Sequence, residues 1–67
     1  MKPFDIVTLL DDLPAKGLLR GQVGTVVETL APMFEVEFCG HDGRTYAGIS
    51  RSAREMLVLH HEPAHVV

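Results

Sequence analysis

A chain of 67 residues has room for one domain and one core, and its single cysteine, Cys39, leaves no intramolecular disulfide to staple that core. A net charge of −3 works against broad electrostatic binding to nucleic acid, although a local basic patch remains compatible with it. No apolar run exceeds four residues, far short of a membrane span, and Asp5, Asp11 and Asp12 interrupt the N-terminal stretch where a signal peptide would need an apolar run, so a soluble cytoplasmic protein away from membranes is expected.

In chain order, Asp5-Ile6-Val7-Thr8-Leu9-Leu10 predicts a first strand, closed by a long polar loop of turn-forming residues from Asp11 to Gly17. Arg20-Gly21-Gln22-Val23-Gly24-Thr25-Val26-Val27 then opens a second strand running to Leu30. Its two glycines mark a positive φ or a close backbone approach, and its β-branched residues suit a pleated, half-buried surface. Ala31-Pro32-Met33 makes a tight connection, since proline cannot continue a central strand. Phe34-Glu35-Val36-Glu37-Phe38 alternates cleanly, with Phe34, Val36 and Phe38 on the core face and Glu35, Glu37 and Cys39 on the other.

Gly40-His41-Asp42-Gly43 signals a hairpin, with Asp42-Gly43 suited to a type I′ turn. Pairing across it sets Phe38 opposite Ala47, Val36 opposite Ile49 and Cys39 opposite Tyr46. Ser52-Ala53-Arg54-Glu55 matches a capping box and predicts one helical turn before a short last strand, Met56 to Leu59. The register of the second strand against the third stays open: Val26 and Val27 compete for the core, and a bulge at Gly24 is one solution. The expected core is Val7, Leu9, Val26, Phe34, Val36, Phe38, Ile49 and Leu57. The expected fold is all-β, an SH3-like five-stranded antiparallel barrel over residues 1–59. Residues 60–67 form a histidine-containing tail dispensable for folding, because Pro63 and a polar run cannot extend a central strand.

The segment Gly21-Gln22-Val23-Gly24-Thr25-Val26-Val27 resembles the glycine motif of KOW domains, SH3-like barrels of ribosomal and transcription-elongation proteins. A wider set of residues, Asp5-Ile6-Val7 with Leu9, Gly17-Leu18, Glu35-Val36-Glu37-Phe38 and Met56-Leu57, resembles small stand-alone bacterial proteins of unassigned function. That resemblance spans about residues 4 to 59; it implies a fold and brings no activity with it.

Chemistry-bearing constellations are few. His61-Glu62-Pro63-Ala64-His65 spells H-E-x-x-H, but Pro63 disfavours the helix that must place both histidines on one face, and no third ligand element follows. His60, His61 and His65 are weak candidates for loose binding of Zn²⁺, Ni²⁺ or Cu²⁺. Cys39 and His41 share a face as C-x-H, yet two ligands do not close a site. As a nucleophile Cys39 sits beside glutamates, the opposite of the electropositive setting a reactive thiolate needs, and Ser52 is better explained as a helix cap. No phosphate-binding glycine loop is present. Neither catalysis nor a cofactor is expected.

Charge is laid out in two groups. Lys16 and Arg20 lie in the first long loop and Arg51 and Arg54 flank the helical turn, a candidate basic rim for an acidic protein or a backbone phosphate; ordinary solvated charge is the plainer account. Glu28, Glu35 and Glu37 fall on the second and third strands, and Tyr46 is the expected exposed aromatic of that outer sheet face. The leading expectation is a non-catalytic protein-interaction module, either an accessory subunit or the neutralising member of a bacterial two-gene pair, with a protein partner or a second copy of itself. A KOW-like RNA-binding role is the alternative, disfavoured by the acidic balance and the scarcity of aromatics. Metal handling through the tail histidines comes third.

Overall fold

The computed structural model describes residues 1–60, in which the alternating segments become five antiparallel strands: β1 (Ile6–Leu9), β2 (Val23–Leu30), β3 (Met33–Cys39), β4 (Thr45–Ser52) and β5 (Met56–Val58). Short 3₁₀ helices at Pro14–Lys16 and Ala53–Glu55 interrupt the first long loop and the approach to β5. The strands form one sheet in the order β4-β3-β2-β1-β5. The all-β class and the helical turn before the last strand are as expected, but the sheet does not close into a barrel. β4 and β5 are its two edges, although only the three-residue turn separates them in the chain. The backbone at that junction is spent locally: the amide of Met56 donates to the Ala53 carbonyl, and β5 is only three residues long and pairs with β1.

Apolar residues on one face of the sheet make the core. Val26, Val36 and Ile49 stand in one row across β2, β3 and β4, and Phe38 faces Ala47 in the next row, as the hairpin register predicts. Val7 lies opposite Gly24 and Leu9 opposite Met56. At Gly24 the missing side chain is used for space rather than for a bulge, because Val36 and Phe38 occupy the volume a Cβ would need. The irregularity sits one turn of the pleat later, between Val26 and Glu28, so Val26 is fully buried and Val27 is pushed outward as the extra residue.

Three core assignments change. Leu57 is 53% exposed and Met56 takes its place, because β1 pairing sets Met56 beside buried Leu9 and Leu57 beside Thr8. Phe34 packs only at the margin of the cluster. Leu18, from the first loop, is completely buried: mutual backbone bonds between Leu13 and Leu18 pinch the loop, and Leu18 joins the core cluster.

Two turn assignments change as well. Gly40 to Gly43 closes with the Gly43 amide donating to the Gly40 carbonyl. Positive φ occurs at Gly43 (+78°) but not at Asp42, which a type I′ turn requires; the hairpin is therefore a type I turn followed by a left-handed glycine. The longer loop shifts the register, so Cys39 faces Thr45 rather than Tyr46, with Tyr46 as the bulged residue. The capping box is also not formed as expected. Ser52 Oγ accepts from the Arg54 amide at 3.3 Å, and the Glu55 carboxylate turns to Arg51 instead of the cap.

Candidate functional site

Among the described residues no group of three or more His, Cys, Asp and Glu side chains converges as metal ligands would. Cys39 is exposed, with its Sγ 3.7 Å from Thr45 Oγ1. His60 is exposed at the end of the described chain, while His61 and His65, and with them the H-E-x-x-H pattern, lie outside the described residues. No helix is long and apolar enough to cross a membrane. Two surfaces hold the other candidate residues.

The first surface is the candidate basic rim. The loop bearing Lys16 and Arg20 is held by the Asp12 carboxylate, which accepts from the Arg20 amide at 2.8 Å, and by the Leu13–Leu18 backbone pair. Its start meets the second helical turn where the Leu10 amide donates to the Glu55 carbonyl at 3.2 Å. Arg51, however, is spoken for. Its guanidinium forms an ion pair with Glu55 four residues on, both side chains being mostly buried, and its Nε is enclosed without a partner. Lys16, Arg20 and Arg54 stay exposed and outside any ion pair among the described residues.

Tyr46 lies elsewhere than expected. As the bulged residue of β4 it brings its ring to 6.4 Å, centroid to centroid, from buried Phe38, and its hydroxyl accepts from Gln22 Nε2 at 2.9 Å. It is 51% exposed, as expected, but stands beside Phe38 and Gln22 rather than in the row containing Glu35 and Glu37. Gln22 is the anchor of that corner. Its side-chain oxygen accepts from the Leu19 amide, and its carbonyl accepts from the Leu9 amide at 3.1 Å and from Thr8 Oγ1 at 3.0 Å.

The second surface is the sheet face turned away from the core. Glu37 Oε1 accepts from Thr45 Oγ1 at 3.1 Å. The bulge after Val26 slides Glu28 directly opposite Glu35, so two like charges face each other across β2 and β3. Such a pair destabilises a sheet. Among the described residues the ion pairs are Arg44–Asp42 and Arg51–Glu55, and neither supplies a cation to Glu28, Glu35 or Glu37.

The same face carries an apolar cluster that sequence reasoning missed. Thr8 pairs with Val23 on one side and Leu57 on the other; Ile6 pairs with Thr25 and accepts the Leu59 amide at 2.8 Å. Ile6, Val23, Leu57 and Leu59 therefore lie together over β5, β1 and β2, all substantially exposed. The available signal was the alternation of apolar residues on both faces of β1 and β5. It pointed to a strand with two apolar sides, without saying which one the core would take.

Comparison with known proteins adds a family and no activity. Neither the curated proteins nor the solved structures contain a match to the chain. One family model does match, over residues 4–58, a span that takes in all five strands and both turns. By that match the chain belongs to the family described as Domain of unknown function (DUF4926).

Proposed function

We propose that this protein is a non-catalytic interaction module that works by docking another protein on its sheet, as an accessory subunit or as the neutralising member of a bacterial gene pair. The observation that carries this reading is the exposed apolar cluster Ile6, Val23, Leu57 and Leu59 on the outer face of a domain small enough to bury only about 60% of its unfolded surface. Apolar side chains grouped on one exposed face mark a contact surface more often than chance scatter does. The strand order and the turn before β5 support an SH3-like origin for the sheet, with its seam left open between β4 and β5.

A KOW-like RNA-binding role draws on Lys16, Arg20 and Arg54, the three cations of the candidate rim that stand outside ion pairs among the described residues. It is the weaker reading, because the net charge is −3, the carboxylates of Glu28, Glu35 and Glu37 have no ion-pair partner among the described residues, and Tyr46, the one exposed aromatic of β4, is held by Gln22 beside Phe38.

The test is reconstitution. Tagged full-length chain is expected to retain a protein after nuclease treatment, and the two purified components are expected to form a stoichiometric complex in sedimentation. Micromolar RNA binding without any protein complex would reverse the order of the two readings.

A further inference from the structure

Resting on that reading, we infer that the outer sheet face is divided into an apolar half and an acidic half, and that it fits a basic amphipathic helix of a partner protein. The apolar half is Ile6, Val23, Leu57 and Leu59 over strands β5, β1 and β2. The acidic half is the neighbouring row of Glu28, Glu35 and Glu37 on β2 and β3. Register places Thr25 between them, with Ile6 on one side and Glu37 on the other, so the two halves share one continuous surface.

Dimensions favour a helix. Three neighbouring strands span two interstrand spacings, about 10 Å, which is the diameter of an α-helix with its side chains. A helix laid over β5, β1 and β2 turns one flank toward β3, where cationic side chains reach the carboxylates.

Charge selects the partner. Glu28 and Glu35 face each other with no cation to separate them among the described residues. Like-charge opposition of this kind is unfavourable in the free chain and is relieved when a Lys or Arg enters between the carboxylates. A phosphate-bearing ligand meets repulsion at the same place. A second copy of this chain, presented face to face, brings the same carboxylates and no cation from this surface. A cationic helix with an apolar stripe answers both halves at once.

The experiment uses the full-length ¹⁵N-labelled chain and three synthetic peptides of about 18 residues, long enough for five helical turns. One has a leucine stripe flanked by lysines, the second has the same stripe flanked by glutamates, and the third scrambles the first so that no stripe remains. The leucine–lysine peptide is expected to shift the amides of Ile6, Thr8, Val23, Thr25, Glu35, Glu37, Leu57 and Leu59 saturably. The other two are expected to bind at least roughly tenfold more weakly, since each loses one of two complementary halves.

Glu28→Gln/Glu35→Gln is expected to weaken the leucine–lysine peptide by about three- to tenfold while raising the melting temperature of the free chain. Opposite movement of these two readouts separates a docking role from a merely structural one. Shifts that map to β4 or to Lys16, Arg20 and Arg54, or an affinity indifferent to Glu28→Gln/Glu35→Gln, would overturn the assignment.

The two levels fail differently. A reconstituted natural complex that survives Glu28→Gln/Glu35→Gln and Leu57→Ser refutes this face and leaves the interaction role standing. Absence of any protein complex refutes the role itself, whatever the peptides do.

Discussion

At Gly24 a Cβ would stand 2.7 Å from Cγ1 of Val36, 2.9 Å from Cε1 of Phe38 and 3.0 Å from the carbonyl oxygen of Glu37. The first two atoms belong to fully packed core side chains and the third to the backbone of a central strand, so none can withdraw cheaply. Gly24→Ala is expected to cost about 1–3 kcal/mol by overpacking, a fall in melting temperature of at least ~4 °C for a domain of this size. Gly48 supplies the contrast, since its nearest neighbour is the Val36 carbonyl oxygen at 3.9 Å, an ordinary contact. Gly48→Ala is expected to leave the melting temperature nearly unchanged or slightly higher, and equal losses at the two positions would refute the space argument. At Val36, 1% exposed in the middle of the Val26–Val36–Ile49 row, an unpaired carboxylate has no partner to meet. Val36→Asp should unfold the chain, seen as collapse of amide dispersion in its NMR spectrum.

Among the elements, β5 is the shortest and the most instructive. Its three residues read equally well with either face inward, and pairing with β1 decides the matter by setting Met56 against Leu9. Met56→Ala is therefore expected to lose about 2–5 kcal/mol, whereas Leu57→Ala should stay within about 1 kcal/mol, both measured by denaturant unfolding. The reverse ranking would put Leu57 back in the core. The turn before β5 shows the same dependence on surroundings. Ser52 and Glu55 have capping-box spacing, but Arg51 lies close enough to take the carboxylate, and a charge-assisted contact outcompetes a bond to a neutral amide.

For the molecule as a whole, the Arg51–Glu55 pair changes what the basic rim can do. Four cations would give a log–log salt slope near −3 with single-stranded RNA at about 0.7 per phosphate contact; with Arg51 committed, three remain and the limit falls to about −2. No measurable RNA binding is expected at about 150 mM salt, where so few contacts are largely offset by counterion competition. A steeper slope that Arg51→Ala reduces would show that the pair opens to receive phosphate. The open sheet sets the other global property. β4 is an eight-residue edge without proline or lysine, two of the devices that blunt edges in natural sheets, so an exposed ladder accompanies the exposed face.

Period-2 alternation was enough to place β3, to pair it with β4, and to pick out Val36, Phe38 and Ile49 as core, because one apolar face and one charged face admit a single register. Turn chemistry and glycine placement marked the breaks between strands for a similar local reason. Where both faces of a segment are apolar, local pattern is silent, and the choices between Val26 and Val27 and between Met56 and Leu57 came from pairing partners distant in the chain. Burial of Leu18 depends on a pinched loop, the placement of Tyr46 on a bulge, and the commitment of Arg51 on a competing carboxylate. Sheet closure belongs to the same class, since it depends on whether two strands adjacent in sequence find each other or find β3 and β1 first. The Glu28–Glu35 opposition exists only because one bulge slides β2 by a residue, a displacement no local pattern encodes.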